Sequence, residues 1–351
     1  MPTDSKRKNP KKSKSKIAVK LASANESIKS YKKRRPHRSF RLSRRRDYVK
    51  PLALPGNISF TFEVTKLLWR YRKSFLILIL IYILLYGVLV GVASQEYYQS
   101  MVDAASEAGS AFFGEMLGAL TNAGLIFAAV STIGLTGSLT EVQQIFAILI
   151  SLLIWLSSVW LLRNLLAGHK VRVSDALYRS GAPVVPTAII MLVIIVQLLP
   201  AAIAAIGYSA ALGTGIIDSG GAPAMLFWIS AVLLGVLSAY WITSSLFALV
   251  MVTLPGVYPF AALRMAGDLM LGRRIKILLR WAWMLLVVLV FWALILIPII
   301  MFDFWLKSVW SWGAWIPIVP FMVVVVTSLT VVWVSAYVYL LYRKVVNSVD
   351  G

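Results

Sequence analysis

The sequence predicts an all-α integral membrane protein, a six-helix transmembrane bundle built from three parallel two-span repeats, each preceded by a cytoplasmic amphipathic helix. Three observations lead there. The 351 residues are 59% hydrophobic and 14% charged, a balance found in membrane chains and not in water-soluble domains. Six apolar runs, at about 75–93, 145–162, 182–207, 224–254, 281–302 and 314–341, are each long enough for a helix rising about 1.5 Å per residue to cross roughly 30 Å of hydrocarbon. Threading the chain through six crossings puts 34 of its 35 Lys and Arg residues on one side and leaves only Lys307 on the other.

That asymmetry orients the chain. The side poor in cations holds Glu96, Asp103, Glu107, Glu115, Glu141, Asp218 and Asp303. Basic loops resist translocation and acidic ones contribute little, so both termini are expected in the cytoplasm. The first run starts only at Phe75, behind a long basic stretch. It is therefore expected to stay as an anchor and not to be cleaved as a signal peptide.

Residues 1–56 form a cytoplasmic tail with 19 Lys and Arg against Asp4, Glu26 and Asp47. A self-repelling segment with so little apolar mass is expected to be mostly disordered. Ile17, Leu21, Ala24, Ile28 and Tyr31 nevertheless recur at helical spacing, which fits either a basic amphipathic helix on the inner leaflet or a weakly helical solvated segment. The clusters Lys32, Lys33, Arg34, Arg35 and Arg44, Arg45, Arg46 flank His37, Phe40 and Tyr48. Two partners fit them, the anionic inner leaflet and the phosphates of RNA or a ribosome. The leaflet is favoured, because a tail tethered at Phe75 meets lipid at high effective concentration. Arg273 and Arg274, in an inner loop, extend the same basic surface.

The membrane domain, 57–345, reads as one unit repeated, followed by a short cytoplasmic C-terminus at 346–351. Asp175-Ala176-Leu177-Tyr178-Arg179-Ser180-Gly181 and Ala261-Ala262-Leu263-Arg264-Met265-Ala266-Gly267 align with Ala, Leu and Gly superposed. Each precedes an outward span with a proline near its far end, Pro200 and Pro298. The stretch 64–73 is the counterpart ahead of the first span. These amphipathic helices would lie at the inner surface as elbows. In the first span Gly87 and Gly91 make a GxxxG, and in the fourth Gly235, Ser238 and Ser245 join Ser230 in a stripe of small residues. Close helix packing is the first reading of both, with a hydroxyl-lined pore as the alternative. Segment 111–137 is apolar at its middle, but spanning there would expose every later basic loop, so it is expected to be re-entrant or to cap the bundle outside.

The chain offers little for chemistry. It has no cysteine and two histidines, His37 and His169, so thiol catalysis, iron–sulfur clusters and His/Cys zinc spacing are excluded, and no enzymatic activity, cofactor or metal is expected. Asp103 and Glu107, four residues apart, read as a solvated helix face and not as a calcium cage. None of the six runs carries an ionisable residue near its centre, where a coupled transporter would keep one. Gln197 is the most polar intramembrane group, within a turn of Pro200, and is expected to bond a carbonyl freed by that proline. Trp305, Trp310, Trp312 and Trp315 beside Phe302 and Phe304 suit the outer headgroup zone.

The third unit, with Leu246-Phe247-Ala248, Pro255-Gly256, Ala261-Ala262-Leu263 and Gly272-Arg273-Arg274 ahead of a long span, resembles the glycerophosphodiester phosphodiesterase membrane-domain family and related bacterial multi-pass proteins, over residues 170–345. The resemblance implies a six-helix bundle with cytoplasmic elbows and a role in the bacterial inner membrane. In that family the catalytic residues belong to a soluble barrel that can follow the membrane domain; none of the present 351 residues is expected to form one, so the resemblance carries over no phosphodiesterase activity. The leading expectation is a non-enzymatic inner-membrane protein that organises the envelope or scaffolds protein partners, its polybasic tail on the inner leaflet. A permease or channel for a neutral or amphipathic solute, and a membrane tether for ribosomes or nucleic acid, are the other two.

Overall fold

The computed structural model describes residues 54–91, 140–217, 220–270, 273–309 and 317–350, together with residue 26. The chain divides after Pro51 into two units, and the second, Leu52–Gly351, holds the helical bundle. Its described residues contain α-helices and no strand: α1 (Asn57–Arg70), α2 (Arg72–Leu89), α3 (Glu141–Leu166), α4 (Val173–Ser180), α5 (Val184–Gly213), α6 (Gly221–Met251), α7 (Pro259–Leu269), α8 (Arg274–Val309) and α9 (Ile318–Asp350). Six of them, α2, α3, α5, α6, α8 and α9, are long and apolar enough to cross a membrane. A helix is the element that satisfies most of its own backbone hydrogen bonds when surrounded by hydrocarbon, although Pro200 and Pro298 interrupt that ladder within α5 and α8.

Local chemistry sets the ends. Thr140 caps α3 by a reciprocal pair of bonds, its Oγ1 accepting from the Gln143 amide and its own amide donating to Gln143 Oε1 at 2.8 Å, which satisfies two donors that the first turn leaves open. Pro259 occupies the start of α7, where a missing N–H costs nothing. Gly168 and Gly256, at φ +83° and +79°, turn the chain after α3 and α6 in a conformation that an L side chain resists. Gly91 does the same for α2. At φ +84° its amide bonds the Tyr86 carbonyl at 3.0 Å, so the second glycine of the expected GxxxG ends the helix and is not a packing position within it. An added Cβ at Gly87 or Gly235 would meet no heavy atom within 4 Å. The close contact expected at these two glycines is not made among the described residues.

The three short helices bury the same pattern. Phe60 and Val64 on α1, Ala176 and Ser180 on α4, and Ala262 and Ala266 on α7 are each essentially inaccessible. A pair four residues apart lies on one helical face. That face meets a long helix in each case: α4 packs on α3, α7 on α6 and α1 on α9. The long helices follow suit, with α2 against α3 and α9, α5 against α6 and α3, and α8 against α9 and α6. The core lies along α3 and α9, which also pack on each other. The opposite faces are greasy and open: Leu76, Leu80, Leu84 and Val88 run down α2 between 53% and 75% exposed, a stripe fit for acyl chains.

Candidate functional site

The most chemically varied part of the bundle is the end where α1, α4 and α7 sit. Here Arg163 donates to the Thr253 carbonyl at 3.0 Å, and the Tyr71 hydroxyl to the Leu165 carbonyl at 3.3 Å, so the ends of α3 and α6 and the α1–α2 junction are tied at one level. Arg280, in the second turn of α8 and 7% exposed, donates to the Pro55 carbonyl. Its guanidinium lies 5.7 Å from the Phe60 ring centroid, and Lys344 Nζ lies 5.5 Å from the same ring. The Phe60 ring meets Tyr337 edge-on at 4.8 Å, and the Tyr337 hydroxyl donates to the Arg280 carbonyl at 3.3 Å. Phe60 is thus held between two cations, whose attraction to its face adds to packing. Lys344 also pairs with Glu63 at 2.6 Å. A cavity of about 390 Å³ beside that pair is lined by Lys66, Arg70 and Arg343 above Leu67, Leu166 and Leu340.

On the other flank of α1 a groove of about 560 Å³ opens between α2 and α8 over α9. Phe75, Leu76, Ile79, Val288, Phe291 and Leu329 make its apolar walls, with Thr61, Thr65, Trp69 and Arg72 at its upper end. Two indoles rivet α1 above it: Trp283 Nε1 donates to Thr61 Oγ1 at 3.0 Å and Trp333 Nε1 to Thr65 Oγ1 at 3.4 Å.

Gln197 and the serines each have a partner of their own. Ser245 Oγ donates to Gln197 Oε1 at 2.7 Å, and Ser238 Oγ accepts the Ala201 amide at 3.1 Å, one residue past Pro200. Ser238 and Ser245 are each 1% exposed. The glutamine therefore bonds a hydroxyl of the neighbouring helix, in place of the expected carbonyl freed by the proline. Gln197, Ser238 and Ser245 line neither the cavity beside Lys344 nor the α2–α8 groove. Ser230 turns to its own helix, donating to the Leu226 carbonyl at 2.8 Å. Interhelical bonds of this kind in membranes contribute about 0.6–2 kcal/mol. Gln197→Ala and Ser245→Ala are each expected to lower the melting temperature of the detergent-purified protein by a similar amount, and the double variant by little more than either. A fully additive double variant would mean that the two groups act apart.

Arg273 is 3% exposed, and Arg274 lies over the Tyr240 ring at 4.1 Å. His169 is exposed in the turn after α3. Trp305 is 59% exposed and stacks obliquely on Phe302 at 5.9 Å. Lys32, Lys33, Arg34, Arg35, Arg44, Arg45 and Arg46, segment 111–137, Asp103, Glu107, His37, Trp310, Trp312 and Trp315 lie outside the described residues. Among the described residues no three His, Asp or Glu side chains gather as a metal site would require.

Several features escape a reading of the sequence. Ser157 and Ser180 share a buried hydrogen bond of 2.9 Å that pins α4 to α3. Asp303 is nearly inaccessible and pairs with Lys307 at 2.6 Å, at the bundle end away from α1. Leu54-Pro55-Gly56 recurs as Leu254-Pro255-Gly256, each ahead of a short helix. That recurrence is the signal in the sequence for the start of α1 and for the role of Pro55. The chain matches no family model, no characterised protein and no solved structure.

Proposed function

We propose that this chain is a non-enzymatic, multi-pass protein of the bacterial inner membrane, a scaffold for envelope organisation whose basic end grips the anionic inner leaflet. One observation carries the reading: the described Lys and Arg residues other than Lys307 gather at the end of the bundle formed by α1, α4 and α7. Cations there gain about 1 kcal/mol each from an anionic surface, and their retention on one side is what the translocation barrier would produce. On this reading α1, α4 and α7 are cytoplasmic elbows.

Three parallel two-span units, α1–α3, α4–α6 and α7–α9, underlie the arrangement. The support is the cyclic pattern of neighbours. Every short helix packs on the last helix of the preceding unit, with α1 closing the ring on α9, and every first span lies between its own partner and the preceding one. Parallel duplication generates such an order without further assumption. Gln197 and Ser245 are engaged with each other and Ser238 with the Ala201 amide, which suits a static bundle better than a solute path. The tail adds leaflet contact, and protein partners would meet the bundle or its loops.

Orientation is the premise to test, and the absence of cysteine makes it direct. His169→Cys, Thr214→Cys and Tyr258→Cys each introduce a single thiol in an exposed turn. A membrane-impermeant maleimide applied to intact cells is expected to label position 214 alone and to reach 169 and 258 only after lysis. Labelling of 169 or 258 in intact cells would overturn the reading. Affinity purification with and without residues 1–56 then assigns partners to the tail or to the bundle.

A further inference from the structure

The groove between α2 and α8 has a chemistry that specifies its occupant. Its walls are hydrocarbon, and the hydroxyls at its upper end are already engaged on both sides: Thr61 and Thr65 donate to the carbonyls of Asn57 and Thr61 and accept from the indoles of Trp283 and Trp333. Deeper in, Trp292 Nε1 donates to Thr330 Oγ1 at 2.8 Å. Below Trp69 and Arg72 the hydroxyls of the lining are already engaged, and a ligand there has to present an apolar surface.

The mouth is the reverse. Arg72 lies over the Trp69 ring at 5.3 Å and makes no ion pair or hydrogen bond among the described residues. Lys66, Arg70 and Lys73 stand in the adjoining turns, and the nearby carboxylate, Glu63, is taken up by Lys344. A volume of about 560 Å³ falls within the roughly 300–1,000 Å³ that holds a small ligand. An apolar slot ending at an unneutralised guanidinium is complementary to an amphiphile with a hydrocarbon chain and an anionic head. A polybasic segment such as residues 1–56, with 19 Lys and Arg, has the wrong sign of charge to complement such a mouth.

We infer that the groove holds one acyl chain of an anionic glycerophospholipid, with the lipid phosphate on the Arg72 guanidinium. The inference rests on the membrane placement proposed above and adds to it one defined lipid position with a headgroup preference. Leu76, 53% exposed and lining the slot, faces the chain. Arg72 is the specificity-determining residue, because its guanidinium can pair the phosphate through two parallel N–H bonds and supply the countercharge that a net-anionic head lacks, whereas the ammonium of a zwitterionic head already neutralises its own phosphate.

The test titrates full-length protein in neutral detergent with dioleoylphosphatidylglycerol or dioleoylphosphatidylcholine and follows the melting temperature. The wild type is expected to be stabilised more by the anionic lipid. Arg72→Gln is expected to weaken that response roughly tenfold, to the level of the zwitterionic lipid. Leu76→Trp, which fills the slot from an exposed position, is expected to weaken the response to both lipids. Lys73→Gln makes the same charge change one residue on and is expected to leave the headgroup preference intact. If Lys73→Gln matches Arg72→Gln, the attraction is diffuse and the site falls. If Leu76→Trp leaves both titrations unchanged, the chain does not enter the groove. If Leu76→Trp instead dissociates an oligomer seen by light scattering, the groove belongs to a contact between copies and the inference is overturned. Failure of the cysteine labelling would instead remove the membrane placement, so the two failures are distinguishable.

Discussion

Phe60→Ala is expected to cost about 3–5 kcal/mol and to release α1 from the bundle. The ring is fully buried, meets Tyr337 edge-on at 4.8 Å and lies between the Arg280 guanidinium and the Lys344 ammonium. Truncation removes the cavity-filling contacts, one aromatic pair worth about 0.5–1.5 kcal/mol and two cation–π contacts of about 0.5 kcal/mol or more each. The measurement is limited proteolysis of the purified protein together with its melting curve. Cleavage within 57–70 should appear well below the global transition in the variant and not in the wild type. Equal protease resistance in both would mean that Thr61, Thr65 and Val64 suffice to hold the helix. Phe60→Leu, which keeps most of the volume, is expected to recover at least half of the loss.

Arg280→Ala is the second large effect, at about 2–4 kcal/mol. The substitution leaves the Pro55 carbonyl without its donor, strips a cation from the Phe60 ring and opens a cavity beside Tyr337. A hydrogen bond to a charged group is worth about 1.5–3 kcal/mol. The charge is itself costly to bury, so a neutral side chain of similar length should do better than alanine: Arg280→Met is expected to lose less than half as much, because desolvation is relieved while volume is kept. Arg280→Lys falls between them, since an ammonium lacks the planar fork. Phe60 and Arg280 touch, so the double variant should fall short of the sum by about 0.5–3 kcal/mol. Melting curves of these variants decide this, and strict additivity would show that the ring and the guanidinium stabilise the end of the bundle independently.

Both effects sit at a place the sequence only half reveals. The stretch 64–73 reads as one amphipathic helix leading into the first span. The structure instead breaks at Tyr71, with φ −107° and ψ 26°, and starts α1 seven residues earlier, at Asn57. No proline or glycine marks the break. It is held by tertiary bonds, from the Tyr71 hydroxyl to Leu165 and from Arg280 to Pro55, which join residues 94 and 225 positions apart. The second and third short helices are easier to see, because Asp175 and Pro259 are start signals. Span ends drift for a related reason. α8 continues past Phe302 to Val309, since Asp303 and Lys307, one turn apart, neutralise each other within the helix.

The glycines and serines show the opposite case, where a pattern overstates what is there. A small residue permits close approach without requiring it. Gly87 and Gly235 face open space, whereas Ser238 and Ser245 are buried because their hydroxyls find specific partners on α5. Small size is visible in a sequence and the partner is not.

Sequence by itself determined the six helices able to cross a membrane that the described residues contain, and that nearly all Lys and Arg fall on one side of a six-span threading, because apolar length and charge position are properties of a line. Only the tertiary structure decided which faces meet: Phe60 between two cations, Gln197 with Ser245, Ser157 with Ser180, and a slot left open between α2 and α8. Lipid is as apolar as leucine, so the faces that pack and the faces that bathe in hydrocarbon have much the same composition, and hydropathy cannot tell them apart. The choice is made by shape and by a few polar groups that lose too much when left unpaired.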